Sequence, residues 1–460
     1  MVSPSEQEGS GRSRAMPVPP RLSDGPYLCR LAEEPCPKSA SAVPPRICPV
    51  GSRKKAAGRS IPYVSLFTGA MGLDLGLEQV GFDPVVCNEI DSACVETIRT
   101  NRPGIPLLTE SIENLSREDF EEAAASDLHD LSLLAGGPPC QAFSVFGRRK
   151  GLKDHRGRLV FEFVRLVDEL QPKIFLMENV RGLHSMPITP GAENGTLLKH
   201  LIQCFEKVGY RLDCFVVNAV NYGAPQLRER VICVGNRFNL EADFPEPQFS
   251  NRPQDGLPPF STLGDAISGD FVDPDPSIMN FSERKLRYLS MVPAGGNWRS
   301  LPEDVQKEAM GKQYYLKGGR SSTWRKLSFD FPCPTIQTMP NHAATSMCHP
   351  TELRALTVGE CAAVMEFPRE WRFVGTPTEK MRQIGNAVPV RLGKVAGEVA
   401  RNLLGQIDTC SPAKKGAMSP SRVRQLRPHV RTRSWWRDGK ALAGSHSYVQ
   451  PESRAVAQSS

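Results

Sequence analysis

The sequence predicts an α/β fold, a mostly parallel sheet covered by helices, and three observations carry that prediction. Short apolar runs alternate with stretches of helical period from about residue 61 onward. The runs end in short glycine-rich or polar turns. The polar motifs of the chain gather at those run ends, which is where ligands bind in open parallel sheets.

The elements follow in order. Residues 63–67 are a short apolar run, broken by the turn Thr68-Gly-Ala-Met-Gly72, and residues 74–80 have helical character. Residues 84–87 form a second strand ending at Asn88-Glu-Ile-Asp91, and residues 131–135 a third ending in Gly136-Gly-Pro-Pro-Cys140. Leu159, Phe163, Leu166 and Leu170 recur at helical spacing as one face, and residues 174–177 follow as another strand. A further strand is expected over 231–234. From about Asn236 to His349 prolines and glycines abound and the period is lost, as in a second, irregular domain. Regularity returns over 357–367 and again where Val388, Leu392, Val395, Val399 and Leu403 space as one helix face.

Composition narrows the class. The chain has 460 residues, 40% hydrophobic and 23% charged, enough for two to three soluble domains. No apolar run approaches the ~18 residues of a membrane span, and the first thirty residues lack a secretory apolar stretch, so a cytoplasmic protein without membrane contact is expected. The 13 cysteines include no C-x-x-C pair, so most should be reduced and buried and no metal site is expected. The net charge of +7 is unevenly placed: residues 411–460 carry +8, residues 1–60 carry +5, and the body between them −6. DNA binding by the folded part must therefore come from placed residues. Residues 1–60, with ten prolines and no period, are expected to be a disordered extension, and 409–460 a disordered basic tail.

Four motifs carry chemistry. In Phe67-Thr-Gly-Ala-Met-Gly72, Gly69 and Gly72 permit a tight turn and close approach of a ligand backbone, and Glu89 stands 20 residues beyond Gly69 at the next strand end. A carboxylate there can accept hydrogen bonds from both ribose hydroxyls of an adenosine-containing ligand. Because G-x-G-x-x-G is not matched, S-adenosyl-L-methionine fits better than NAD. Cys140 follows a strand end and two prolines and precedes the polar loop 144–158, so it reads either as inert core or as a rigidly presented nucleophile. Glu178, at the end of the strand over 174–177, is either a protonated acid in a cleft or a solvated carboxylate. Arg228 and Arg230, two apart, suit a phosphate or a base carbonyl, with surface salt bridges as the alternative.

Taken together, Phe-x-Gly-x-x-Gly, Asn-Glu-x-Asp, Pro-Cys-Gln, Glu-Asn-Val, Gln-x-Arg-x-Arg, Arg354-x-Leu-Thr with Glu360 and Phe367-Pro368, and Gly385-Asn-Ala-Val388 occur in the order of the bacterial DNA cytosine-5 methyltransferases, which the chain resembles from about Ile61 to Ile407. The resemblance implies a Rossmann-like S-adenosylmethionine-dependent methyltransferase domain with a smaller irregular target-recognition domain. It implies that Cys140 attacks C6 of cytosine, Glu178 holds N3, Arg230 contacts the base carbonyl and Arg228 supports the site. Phe67, Gly69, Gly72, Glu89, Ile112, Pro139 and Asn386 would contact the cofactor. Gln141, Ser144, Arg148, Arg149 and Arg156 would contact double-stranded DNA, the last four from a loop that closes over it. One departure is Ser111, where the family often has an acidic residue facing the adenine amino group.

The expected organisation is a catalytic domain over 61–235, completed by 379–408, with target recognition over 236–378. The expected setting is a monomer in the bacterial cytoplasm, associated with the nucleoid, with a cognate restriction endonuclease as possible partner. A tRNA cytosine-5 methyltransferase, a catalytically silent DNA-binding module and an NAD-dependent oxidoreductase are the competing readings. The long irregular segment, the full set of Cys140, Glu178, Arg228 and Arg230, and the missing diphosphate fingerprint respectively count against them.

Overall fold

The structure, a computed structural model, describes residues 60–139, 155–188, 192–315, 322–407, 410–413 and 418–426, and the backbone alone of 155–157, 253, 343, 436–437 and 440–441. In chain order, β1 (Ile61–Leu66) leads to α1 (Gly72–Glu78), and β2 (Phe82–Asn88) to α2 (Ser92–Asn101). Then come β3 (Leu107–Leu108), α3 (Arg117–Ala124), β4 (Leu133–Gly136), α4 (His155–Leu170), β5 (Ile174–Val180), α5 (Gly182–Ser185) and α6 (Thr196–Lys207). β6 (Arg211–Asn218), β7 (Gln226–Leu227) and β8 (Glu229–Asn236) follow. The irregular stretch holds α7 (Leu263–Ile267), α8 (Glu283–Met291), α9 (Glu303–Met310) and β9 (Cys333–Pro334), and the chain returns through α10 (Val358–Val364), α11 (Pro377–Asn386), α12 (Val390–Ile407) and β10 (Arg422–Gln425).

Eight strands make one sheet in the order β10-β6-β8-β5-β4-β1-β2-β3. β3, β2, β1, β4 and β5 pair in parallel, as the strand-helix alternation predicts. β8 runs antiparallel to both β5 and β6. Its reversal is invisible in the sequence because a strand buried on both faces reads as one apolar run in either direction. The sheet is covered on both sides. Val64, Leu66, Leu134 and Phe175 pack with Phe163, Val167 and Phe205 of α4 and α6 on one face. Tyr63, Leu133, Ala135 and Leu176 pack with Leu73 and Leu77 of α1 and with Leu392, Val395, Val399 and Leu403 of α12 on the other. The predicted 388–403 stripe is thus the buried face of α12.

α1 and α12 approach so closely that side chains are excluded between them. A Cβ on Gly72 would overlap the Val388 carbonyl oxygen, one on Gly76 would overlap Val390 O and Lys394 N, and one on Gly393 would lie 2.7 Å from Leu73 O. α11 is set by a capping box, Thr376 with Glu379, and by Pro377 at its start, where a missing N–H costs nothing.

One pairing was not foreseen, and one expectation is corrected. Cys214 and Cys233 are directly opposite residues of β6 and β8 and form a disulfide, a pairing the antiparallel register creates and the sequence spacing does not reveal. Cys87, Cys94, Cys333, Cys348 and Cys361 are free and buried, as expected. Part of the segment expected to be a structureless basic tail is structured: β10 pairs in parallel with β6 at the sheet edge. Arg422 reaches the buried Asp213 at 3.0 Å and also pairs with Glu241, and Arg424 reaches Glu246 at 2.9 Å. A strand without apolar period is held here by ladder hydrogen bonds and by acidic groups of the negatively charged body. Among the described residues no helix is long and apolar enough to cross a membrane.

Candidate active site

A cavity of about 1220 Å³ opens at the carboxyl ends of β1, β2, β4 and β5. Ten predicted site residues line it: Phe67, Gly69, Gly72, Glu89, Ile112, Pro139, Glu178, Arg228, Arg230 and Asn386. Cys140, Gln141, Ser144, Arg148 and Arg149 lie outside the described residues, and of Arg156 only the backbone, in α4, is described. Pro139, the residue before Cys140, is on the cavity wall.

The β1–α1 turn is conformationally unusual. Phe67 (φ 52°), Gly69 (φ 58°) and Met71 (φ 66°) all occupy the left-handed region, which non-glycine residues adopt only where surroundings enforce it. One enforcing contact is Glu89, whose Oε2 accepts from Gly69 N at 2.7 Å while Oε1 accepts from Asp91 N at 2.8 Å. Burial pushes the Glu89 carboxyl above its ordinary pKa; the two backbone N–H groups pull it back, and the charge of Asp91 raises it again. Each carboxylate oxygen retains acceptor capacity for a ligand hydroxyl. Next to it, Asn88 donates to Leu108 O and Glu110 O, fixing the strand end that carries Ser111 and Ile112 to the cavity.

At the other end, Arg230 Nε sits 2.6 Å from Glu178 Oε1, both side chains only 10% exposed. Burial lowers the pKa of the Arg230 guanidinium, and Glu178 opposes that shift. A Cβ on Gly137 would stand 3.2 Å from Glu178 Oε2, so the glycine leaves that oxygen its space. Asn179 donates to Pro138 O at 3.1 Å and ties the Gly-Pro-Pro segment to β5.

Arg228 precedes β8 rather than lying in it, and its task differs from that of Arg230. It is fully buried and donates to Ile336 O at 3.1 Å and to Gly385 O and Ala387 O at 2.8 Å each. Burial, with Arg230 alongside, holds its pKa well below the usual guanidinium value. It clasps the carbonyls on either side of Asn386.

Several cavity residues were not predicted. Thr335, Ile336, Gln337 and Thr338 arrive through the parallel pairing of β7 with β9, where Gln226 Oε1 accepts from Ile336 N at 3.1 Å. Pairing across 110 positions leaves no local sequence signal. Asp91 and Arg382 form an ion pair of 2.7 Å between α2 and α11 on the cavity wall. Asp74 was also missed; its one signal was a carboxylate set between Leu73 and Leu75 in a helix with no exposed side before Glu78.

The arrangement joins the Glu89–Gly69 contact to the buried Glu178–Arg230 pair within one open space. The sequence profile of C-5 cytosine-specific DNA methylases matches residues 61–402. The chain belongs to that family. The methylase is 40% identical over 361 residues to the Type II methyltransferase M.Eco47II of Escherichia coli, covering 77% of this chain and 82% of that one. It is 36% identical to the Type II methyltransferase M.Sau96I of Staphylococcus aureus, over 74% and 76% of the two chains. Among solved structures, an Escherichia coli prophage protein described as a candidate DNA modification methyltransferase superposes with a TM-score of 0.52 at 25% identity, over 75% of the methylase and 100% of that chain. An Entamoeba histolytica methyltransferase, at 13% identity and the same TM-score of 0.52, shares the fold. The methylase is accordingly an enzyme of DNA cytosine-5 methylation with the S-adenosylmethionine-dependent methyltransferase fold, and the oxidoreductase reading is set aside.

Proposed function

We propose that the methyl donor is S-adenosyl-L-methionine and that the acceptor is C5 of a cytosine flipped out of a short, specific duplex DNA sequence. The observation that carries this reading is the continuity of one cavity from the Glu89–Gly69 contact to the Glu178–Arg230 pair. The residues present fit the cofactor: Glu89 keeps lone pairs for the ribose hydroxyls, and the strained turn over Phe67, Gly69 and Met71 brings backbone close to the ligand. The cofactor supplies an electrophilic methyl group.

The chain supplies the rest. Cytosine is an unreactive aromatic at C5 until a nucleophile adds at C6, so the thiolate of Cys140 forms a bond to C6 while Glu178 holds N3 and prevents negative charge from building up on the ring. Arg230, oriented by its ion pair with Glu178, contacts the base carbonyl; Arg228 positions the Asn386 segment. Once C5 carries methyl, loss of its proton re-forms the double bond and expels the Cys140 sulfur. Because C5 and C6 are enclosed in the duplex, the base must leave the stack. Gln141, Ser144, Arg148, Arg149 and Arg156 hold the DNA. Residues 61–235 with 379–408 form the catalytic domain and 236–378 the recognition domain. The enzyme works as a monomer on double-stranded DNA in the bacterial cytoplasm, within a restriction-modification system and beside an endonuclease of the same specificity, as the Type II names of its relatives support.

Bisulfite sequencing of DNA from cells expressing the full chain tests the reading. Wild type should protect cytosines at one recurrent sequence and Cys140→Ser none, and DNA bearing 5-fluorocytosine at that site should retain wild-type protein covalently, since fluorine cannot leave as the proton does. Scattered conversion with no recurrent site, full activity of the serine variant, or methylation of tRNA in place of duplex DNA would overturn it.

A further inference from the structure

The irregular segment contains a small module with a core of its own. Tyr288, Leu289, Leu301, Met310 and Trp324 pack in a cluster separate from those that cover the sheet. Residues 295–298 run beside 323–327, with Gly295 N donating to Leu327 O at 2.8 Å and Trp298 N to Thr323 O at 3.2 Å. Segment 323–327 continues through β9 into Thr335–Thr338 of the cavity wall. Residues 280–326 hold ten Lys and Arg against four Asp and Glu, a charge of +6 within a body of −6. The module is therefore a cationic island that attracts phosphates to an otherwise acidic body.

On its surface one arginine is held in place. The guanidinium carbon of Arg299 lies 4.4 Å from the centre of the Trp298 ring. Trp298 meets Tyr314 edge-on at 5.9 Å, and Tyr314 meets Tyr315, 76% exposed, at 5.3 Å. The Arg299 backbone is fixed as well: its N–H donates to Asn297 Oδ1 at 3.0 Å and its C=O accepts from Gln306 Nε2 at 3.2 Å. The residue is nonetheless exposed. A ring contact restricts an arginine's rotamers without using its N–H donors. Arg287 also lies over a ring, that of Tyr288, but pairs with Glu308 at 3.2 Å.

We propose that Arg299 is a sequence-reading residue of the methylase, making a bidentate contact to O6 and N7 of a guanine in the major groove, with Trp298 as its platform. This rests on the reading that the methylase acts at one short duplex sequence through residues 236–378. A phosphate contact needs only a mobile charge, which the exposed Lys312 of the same module supplies. A guanidinium fixed at both its ring and its backbone is suited instead to the directional demands of a base edge.

The test is bisulfite sequencing of DNA from cells expressing wild type, Arg299→Ala and Arg299→Lys, followed by methylation rates on duplexes in which one recognised G·C pair at a time, other than the target, is replaced. Arg299→Ala should still methylate but lose selectivity at one guanine position, where a preference of roughly tenfold or more in wild type falls to within about threefold. Arg299→Lys, which keeps the charge but not the fork, should relax the same position. Affinity for S-adenosylhomocysteine, read by calorimetry, should be unchanged in both. An altered affinity, an unaltered site at the wild-type rate, an evenly slowed rate at an unaltered site as a phosphate contact would give, or full selectivity in the lysine variant would overturn the assignment of Arg299. Each leaves the reading of a sequence-specific enzyme intact, whereas wild type with no recurrent site would overturn both. If Arg299→Ala does not fold, the lysine variant decides by the same criteria.

Discussion

Replacing Asp74 by Asn should make the cofactor-free protein more stable at neutral pH and leave the gain absent in acid. The fold holds the Asp74 proton up to about pH 6, against 3.8 for the ordinary carboxyl. Each tenfold difference in proton affinity between folded and unfolded chains corresponds to about 1.36 kcal/mol, so ionising this group inside the fold costs about 3 kcal/mol. The sign follows from proton binding: between pH 3.8 and about 6 the folded chain carries the proton and the unfolded chain has lost it, so stability falls as pH rises through that window. Asparagine has no charge to bury. Urea denaturation of both proteins from pH 4 to 8 should therefore give a difference in unfolding free energy that grows by up to about 3 kcal/mol across the window and is flat above it. Glu89 and Glu366, also raised by burial, titrate in both proteins and cancel in the difference. A difference independent of pH would refute the burial argument.

Three further outcomes follow from the same geometry. Glu89→Ala should weaken S-adenosylmethionine binding by about 1–3 kcal/mol, read by calorimetry, since it removes charge-assisted acceptors and frees the Gly69 and Asp91 N–H groups; unchanged affinity would move the ribose elsewhere. Arg422→Ala should destabilise the chain by about 1–3 kcal/mol, because Asp213, 1% exposed, loses one of its two guanidinium partners. Arg424→Ala, whose acidic partners are largely exposed, should change stability by about 0–1 kcal/mol, so equal effects in denaturation would argue against docking of β10. Gly76→Ala should cost about 1–3 kcal/mol of stability through overlap with Val390 O and Lys394 N, and normal thermal stability would mean that α1 and α12 can separate freely.

What was legible in the sequence was what a one-dimensional period can encode. The stripe through Leu159, Phe163, Leu166 and Leu170 became α4, the 388–403 stripe became α12, and the strand-end motifs converged because parallel strands deliver their carboxyl ends to one edge. Glu178 and Arg230, 52 positions apart, were both identified, yet their 2.6 Å contact depends on β8 running against β5, a direction no apolar run encodes. Arg228 and Arg230 stand two apart in one motif, and their different partners, Gly385 O and Ala387 O for the one and the Glu178 carboxylate for the other, come from chain segments that the motif does not specify. The 335–338 segment and β10 were hidden for the opposite reason: each is placed by partners more than 100 residues away, and neither has an internal period.

The glycine-lined contact between α1 and α12 also sets a timetable for biosynthesis. One apolar face of the sheet, with Tyr63, Leu133 and Leu176, is covered by a helix that ends at Ile407. A nascent chain that has already emitted β1, α1 and β4 from the ribosome has only α1 to cover that face and must leave the share of α12 bare until α12 emerges, roughly tens of seconds later at ordinary elongation rates. During that interval the growing polypeptide is a natural client for chaperones and a candidate for aggregation, and slower initiation or lower growth temperature should raise the yield of native enzyme more than any change at the sheet edge.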